Sequence, residues 1–214
     1  MTIKSIYYTI AGKLTYCWGR FMARPSMAGQ RKEEILDALE QCILDKGIQA
    51  TSLENIAETA EMKRTILRHY IGNRDDIICA LSARWTSKYT QQWQELLTYL
   101  PTSNRAEALI ESIFSNRSKD MMNNTIIGEA IFSEAKRLET IKLHQKQIMQ
   151  EFIQHLVNEF SKQYPSVKQE RIELIAYGIY ANYLMSESLL PLGMFDEMYK
   201  LKQTSMLLTS QLLT

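Results

Sequence analysis

The sequence predicts an all-α protein in two parts: an N-terminal three-helix unit containing a helix-turn-helix, joined by a long helix to a larger helical domain. Three observations carry this. The 214 residues include only 8 Gly and 4 Pro beside many Leu, Ile, Gln, Glu and Lys, a composition that favours helix. From Arg31 onward apolar residues recur at three- and four-residue steps in almost every segment. The segments are separated by helix-stopping residues at Gly47, Gly72, Pro101, Pro165 and the Pro191-Leu192-Gly193 run. A 45% hydrophobic content lets a chain of this length bury a sizeable core.

Residues 1–26 form an extension with Lys4, Lys13, Arg20 and Arg24, no acid and no periodic apolar face. Lys13 interrupts the one apolar stretch that could serve as a signal peptide. Either Met27 is the true start and the extension is an artefact of start-codon choice, the favoured reading, or these residues are a basic arm reaching along a nucleic acid. Ile35, Leu36, Leu39, Cys42 and Ile43 then make a stripe over 31–46, closed by Gly47. Leu53, Ile56, Ala57 and Ala60 define a second helix, with Thr51 and Glu54 spaced as a capping box. A third helix ends at Gly72. Asn73 caps the next, with Asp75 and Asp76 in its first turn, and Ile77, Leu81, Trp85, Tyr89, Trp93 and Leu97 carry it to Pro101.

Beyond Pro101, Asn104 and Glu107 cap a helix through Phe114, and 116–124 reads as a polar loop followed by a segment over 125–138. A long helix spans 139–163, with Ile141, Ile148, Phe152, Leu156 and Phe160 on one side. Ser166 and Gln169 are spaced to box the start of a helix running to about 190, and a last helix covers 196–212. The domains are therefore read as 27–75 and 76–214.

The residue pattern also limits function. A formal net charge of +1 offers no global attraction to a polyanion, so any such attraction has to be local. It is local at 62–74, where the charged residues are Lys63, Arg64, Arg68 and Arg74, with His69 and Tyr70 among them and no acid. A short apolar-faced helix, a tight break and a basic second helix are the composition of a helix-turn-helix whose second member enters a DNA groove. Cys17, Cys42 and Cys79 lack metal-ligand spacing and read as buried, reduced thiols. No apolar run reaches the roughly 20 residues that span a bilayer. There is no Gly-rich phosphate loop, no HExxH and no Glu three residues before any of His69, His144 or His155, so neither an enzyme, a metal site nor a cofactor is expected. Glu151 and His155, four apart on one helix face, read as a hydrogen-bonded pair.

The run from Arg31 to Ile77, with RKEEILDALEQCILDKG, TSLENIAETA and MKRTILRHYIGNRDDII, resembles the amino-terminal domain of TetR-type repressors throughout its length. Three departures stand out: Glu61 where the family has Gly in the turn, Lys63 for its Ser cap and Arg68 for its Tyr. A non-Gly residue at positive φ costs roughly 1–2 kcal/mol, so a reshaped turn is expected here. The resemblance implies a cytoplasmic, sequence-specific DNA-binding transcriptional regulator, a repressor released from a near-palindromic operator by a small-molecule effector. Lys63, Tyr70, Arg74 and the Thr51-Ser52 start of helix 2 would hold phosphates of double-stranded DNA, while Arg64, Thr65, Arg68 and His69 would face base edges. An effector pocket is expected in the second domain among Trp85, Trp93, Phe114, Met121, Met122, Met149, Tyr177 and Tyr180. The two carboxyl-terminal helices resemble the pair that forms the family's homodimer interface, with Ile179, Tyr183 and Leu207 as candidates. The alternative is a helical protein-interaction module that keeps this shape without reading DNA.

Overall fold

The computed structural model describes residues 26–115 and 119–213. Among them are nine helices and no strand: α1 Met27–Lys46, α2 Leu53–Thr59, α3 Arg64–Ile71, α4 Arg74–Tyr99, α5 Arg105–Ile113, α6 Lys119–Glu134, α7 Glu139–Gln163, α8 Gln169–Leu189 and α9 Phe195–Ser210. The all-α architecture is as predicted. The basic extension, including Cys17, lies outside the described residues. α1 begins at Met27, four residues before the predicted start, and is capped by Ser26, whose hydroxyl accepts from Gly29 N at 3.1 Å. The predicted polar loop at 116–124 is replaced from Lys119 onward by the start of α6.

The helix starts show which caps the local sequence decides. α2 is boxed by Ser52 and Asn55, not by Thr51 and Glu54: Asn55 N donates to Ser52 Oγ at 3.2 Å and Ser52 N donates to Asn55 Oδ1 at 3.0 Å. Asn73 caps α4 as expected, accepting from Asp75 N and Asp76 N while Asp76 accepts from Asn73 N at 2.8 Å. Gly72, just before it, has φ +96, and a Cβ there would stand 2.3 Å from Asp76 Oδ2. Ser166 boxes nothing; α8 starts after Lys168 without a side-chain cap. Asn104 also gives no side-chain cap, and sits at φ 53. The turn before α5 is held instead by Arg105, which donates to the carbonyls of Leu97, Leu100 and Pro101 at the end of α4 and pairs with the buried Glu159 of α7 at 2.6 Å.

Two cores result. The first joins Ile35, Leu39 and Ile43 of α1 with Ile56, Leu67, Ile77 and Leu81, and it is completed by Ile127 and Ile131 of α6 and Ile141 of α7. Helices α1–α3 therefore do not close a core alone, and the unit predicted to end at residue 75 shares its interior with the second half of the chain. The second core surrounds Phe152, Leu156 and Phe160 of α7 with Trp93, Leu109, Ile172, Ala176 and Ile179. α8 and α9 lie against each other along their lengths, with Gly178 close enough to Leu208 that a Cβ would meet its Cδ1 at 3.0 Å.

The helix-turn-helix break is not reshaped by Glu61. Glu61 N donates to Glu58 O at 3.0 Å and Met62 N donates to Ala57 O at 2.9 Å, the paired bonds of a Schellman motif, and Met62 packs onto the first core. That motif requires a left-handed residue after the helix, and Glu61 supplies it at φ 51. Glu61→Gly should therefore raise stability: about 1–2 kcal/mol of backbone strain is relieved, less about 0.4–1 kcal/mol of added unfolded-chain freedom. A gain in thermal midpoint of about 2 °C is expected by calorimetry.

Candidate nucleic-acid interface

Leu67, fully buried, is the pin that fastens α3 to α1 and α2. With Leu67 facing inward, Lys63, Arg64, Thr65, Ile66, Arg68 and His69 all point to solvent. The exposed face is basic and hydroxylated, with a 47% exposed isoleucine at its centre. Arg68 and Lys63 make no ion pair among the described residues. Arg64 does: its guanidinium is paired with Glu54 of α2.

The other expected DNA contacts sit differently. Thr51 is buried and its hydroxyl donates to Gly47 O at 2.9 Å, so it serves the α1–α2 loop. Ser52 is committed to the α2 cap. Tyr70 packs against the first core, edge-on to His69 at 5.7 Å. Arg74 is turned inward: its Nε donates to Thr51 O at 2.7 Å and its Nη2 to Ile48 O, tying the first residue of α4 to the loop between α1 and α2. The sequence reading missed Ile66, although Ile66 and Leu67 are adjacent and only one can reach the core of an eight-residue helix. It also missed Glu54.

Beside Arg74 a second arginine joins the two halves of the chain. Arg137, just past α6, donates to both oxygens of Asp75 at 2.8 and 2.6 Å and to Glu134 Oε2 at 2.6 Å. Glu134 is 1% exposed and also accepts from Gln49 Nε2 at 2.6 Å. The α1–α2 loop, the start of α4 and the end of α6 thus meet in one polar knot. Arg137, hydrogen-bonded to Asp75, holds that carboxyl below its ordinary range, outweighing the partial burial that opposes it.

In the second half, an aromatic cluster crosses α4, α5, α7 and α8. Trp93 contacts Phe152 at 5.1 Å and is stacked on His155 at 4.8 Å; Phe152 contacts Tyr180 at 5.0 Å and Tyr183 at 4.8 Å; Phe114 meets Tyr183 at 6.2 Å. Met149 packs on the same core and Met122 is half-buried. Met121 lies outside the residues whose side chains are described. Trp85 is not part of this cluster: it belongs to the first core, where its Nε1 donates to Glu40 of α1 at 2.7 Å. Tyr177 is exposed on the opposite side of α8. An open groove of about 430 Å³ between α4 and α7, lined by Thr86, Ser87, Thr90, Gln94, His144 and Gln147, includes none of the expected pocket residues. Glu151 and His155 do not form the expected pair: Glu151 accepts from Thr90 and Gln147, and burial lowers the pKa of the His155 imidazole.

Of the interface candidates, Ile179 is fully buried within the chain and Tyr183 belongs to the aromatic cluster, whereas Leu207 is 66% exposed. Leu174, Tyr177 and Met185 of α8 and Phe195 and Tyr199 of α9 are exposed as well. Cys42 is buried as expected, while Cys79 is half-buried. Among the described residues no helix is long and apolar enough to cross a membrane, and no group of three or more His, Cys, Asp or Glu is placed to hold a metal.

No family model matches the chain. Residues of the chain are 26% identical over 89 positions to the HTH-type transcriptional regulator PksA of Bacillus subtilis (strain 168), covering 41% of this chain and 43% of that protein, so the chain spans less than half the length of this relative. Among solved structures, a TetR transcription regulator from Haloarcula marismortui superposes with a TM-score of 0.71 at 13% identity, over 85% of this chain and 97% of that one. A TetR transcriptional regulator from Legionella pneumophila gives 0.64 at 18% identity, covering 86% and 97%. The fatty acid degradation regulator FadR from Bacillus halodurans gives 0.64 at 16% identity, covering 85% and 95%. The chain has the fold of the TetR-type transcriptional regulators.

The polar knot makes a pH-dependent prediction. Asp75 has a folded pKa below its ordinary 3.8, so its contribution to stability is complete above that value and is lost as pH falls through the lower folded one. Urea unfolding of wild type and Arg137→Ala should show a stability gap that is constant from neutral pH down to about 5 and closes below the ordinary carboxylate range.

Proposed function

We propose that this chain is a sequence-specific DNA-binding transcriptional regulator, a repressor that works in the cytoplasm as a homodimer and leaves its operator when a small molecule binds the second domain. The observation that carries this is the outer face of α3. A short helix locked by Leu67 and the Schellman turn presents Lys63, Thr65, Ile66, Arg68 and His69 to solvent, and among the described residues Arg68 has no ion-pair partner. A face of that composition suits the major groove: Arg68 donates two hydrogen bonds to a guanine edge, Ile66 meets a thymine methyl, and Thr65 and His69 bond to neighbouring edges. Lys63, at the start of α3, suits a phosphate.

Dimerisation is supported by the exposed apolar surface on α8 and α9. Leu174, Tyr177 and Met185 of α8 and Phe195, Tyr199 and Leu207 of α9 are each more than half exposed, and large apolar side chains gathered on two neighbouring helices suit a partner that covers them. A two-fold dimer on a near-palindromic site has to present its two α3 helices to major grooves one turn apart, roughly 34 Å. The aromatic cluster around Trp93 and Phe152 suits an effector site, and α4, which runs from that cluster to Arg74, suits the coupling. An effector shifts the protein only by its differential affinity for the DNA-bound and free arrangements.

A gel shift with the gene's own upstream region tests the reading, and absence of specific retardation at physiological salt would sink it. Within it, Arg68→Ala should lower discrimination at one position of each half-site by about 1–3 kcal/mol while leaving binding to random duplex nearly unchanged. Selection from a randomised duplex library reads this directly. Separately, Tyr177→Asp with Leu207→Asp should give a folded monomer by sedimentation velocity, with operator affinity lost because a single half-site binds too weakly. A double variant that stays dimeric would remove the α8–α9 face from the interface.

A further inference from the structure

The carboxylate of Glu54 stands on the same surface as the proposed base-reading residues. Glu54 is the second residue of α2, Arg64 the first of α3, and the ion pair between them bridges the two helices on the solvent side. Both side chains are more than half exposed, at 58% and 54%. A pair so exposed contributes little to folding, and α2 and α3 are already fastened by Ile56, Ala57 and Leu67. Its effect on what the face can bind is larger. A carboxylate facing a phosphate backbone is repelled by it. A guanidinium already bonded to that carboxylate gains less from an anionic phosphate than a free one does. Arg68, one turn on, has no such partner among the described residues, nor does Lys63.

Resting on the DNA-binding reading above, we propose that Glu54 is a specificity-determining residue: by pairing with Arg64 it withholds that arginine from phosphates and reserves it for a base edge. Hydrogen bonds from Arg64 to guanine O6 and N7 leave a guanidinium edge free for Glu54, whereas a phosphate at the same place would have to displace the carboxylate or sit beside it. The pair therefore lowers affinity for random sequence more than for the right one. Glu54 is ionised throughout the neutral range; a hydrogen bond involving its own backbone holds its pKa below the ordinary carboxylate value, opposed by slight desolvation and reinforced by the Arg64 charge.

The test is the salt dependence of binding to a random-sequence duplex by the full chain, as wild type, Glu54→Gln, Arg64→Gln and the double variant, each checked for folding by circular dichroism. Glu54→Gln should bind random duplex more tightly and lose affinity more steeply with salt. The extra fall between 50 and 200 mM is about threefold for each freed arginine, or about tenfold for a dimer. Discrimination between duplexes selected by wild type and random duplex should drop in parallel, and the effect of Glu54→Gln should vanish when Arg64 is already Gln. Unchanged random-duplex affinity and slope in Glu54→Gln would overturn the inference. An equal gain with or without Arg64 would overturn it too, because plain repulsion by the carboxylate would then account for everything. Wild type that retains no duplex even at low salt would instead overturn the DNA-binding reading itself, and the inference with it.

Discussion

The start of α4 is the point through which the rest of this structure is organised. Gly72 and the Asn73–Asp76 box set the direction in which the longest helix leaves the helix-turn-helix. Arg74 then fastens that helix to the carbonyls of Ile48 and Thr51, and Arg137 fastens Asp75 to the buried Glu134. Buried carbonyls and a buried carboxylate have to be bonded, so these contacts allow few alternatives to the observed angle between α3 and the second half of the chain. The shared first core adds to this, since Ile127, Ile131 and Ile141 fill the space that α1–α3 leave open. A change in the packing of α6 or α7 therefore reaches α3 without a flexible linker in between.

This arrangement explains why an arginine expected on DNA is found inside. Arg74 lies in the first turn of α4, where its side chain can reach either outward or back to the loop after α1. The loop carbonyls have no helix to satisfy them, and a planar guanidinium with several donors satisfies two at once. The surface proposed for a nucleic acid is accordingly narrower than the basic run 62–74 suggests. Among the described residues the proposed surface consists of α3 and the adjoining turn of α2, where Arg68 has no ion-pair partner and Arg64 is held by Glu54.

The aromatic cluster and the outer face of α8 divide one helix between two roles. Tyr180 and Tyr183 turn inward to Phe152, whereas Tyr177 and Met185 turn out with Leu207 of α9. All of these residues are apolar or aromatic at helical spacing, so composition alone does not sort them. The proposed effector and dimer surfaces are therefore back to back on α8.

The sequence by itself determined the all-α class, the order of the helices, the segregation of positive charge to α3 and the Asn73 cap, because each depends on residues within a turn or two of one another. The same locality made the boundaries of α7 readable to the residue. Only the tertiary structure decided that Trp85 joins α1 and not a pocket, that Ile179 faces inward while Leu207 faces out, and that Arg74 and Arg64 already have partners. Those choices depend on groups 10 to 62 positions away in the chain, as with Glu54 and Arg64 or Asp75 and Arg137. A helical stripe shows that a face is apolar, but the neighbour it meets is set by how the other helices cross it. Even the strained turn at Glu61 follows this division: the missing glycine was visible in the sequence, and the contacts of Leu67 and Met62 with the first core decided that the turn would form regardless.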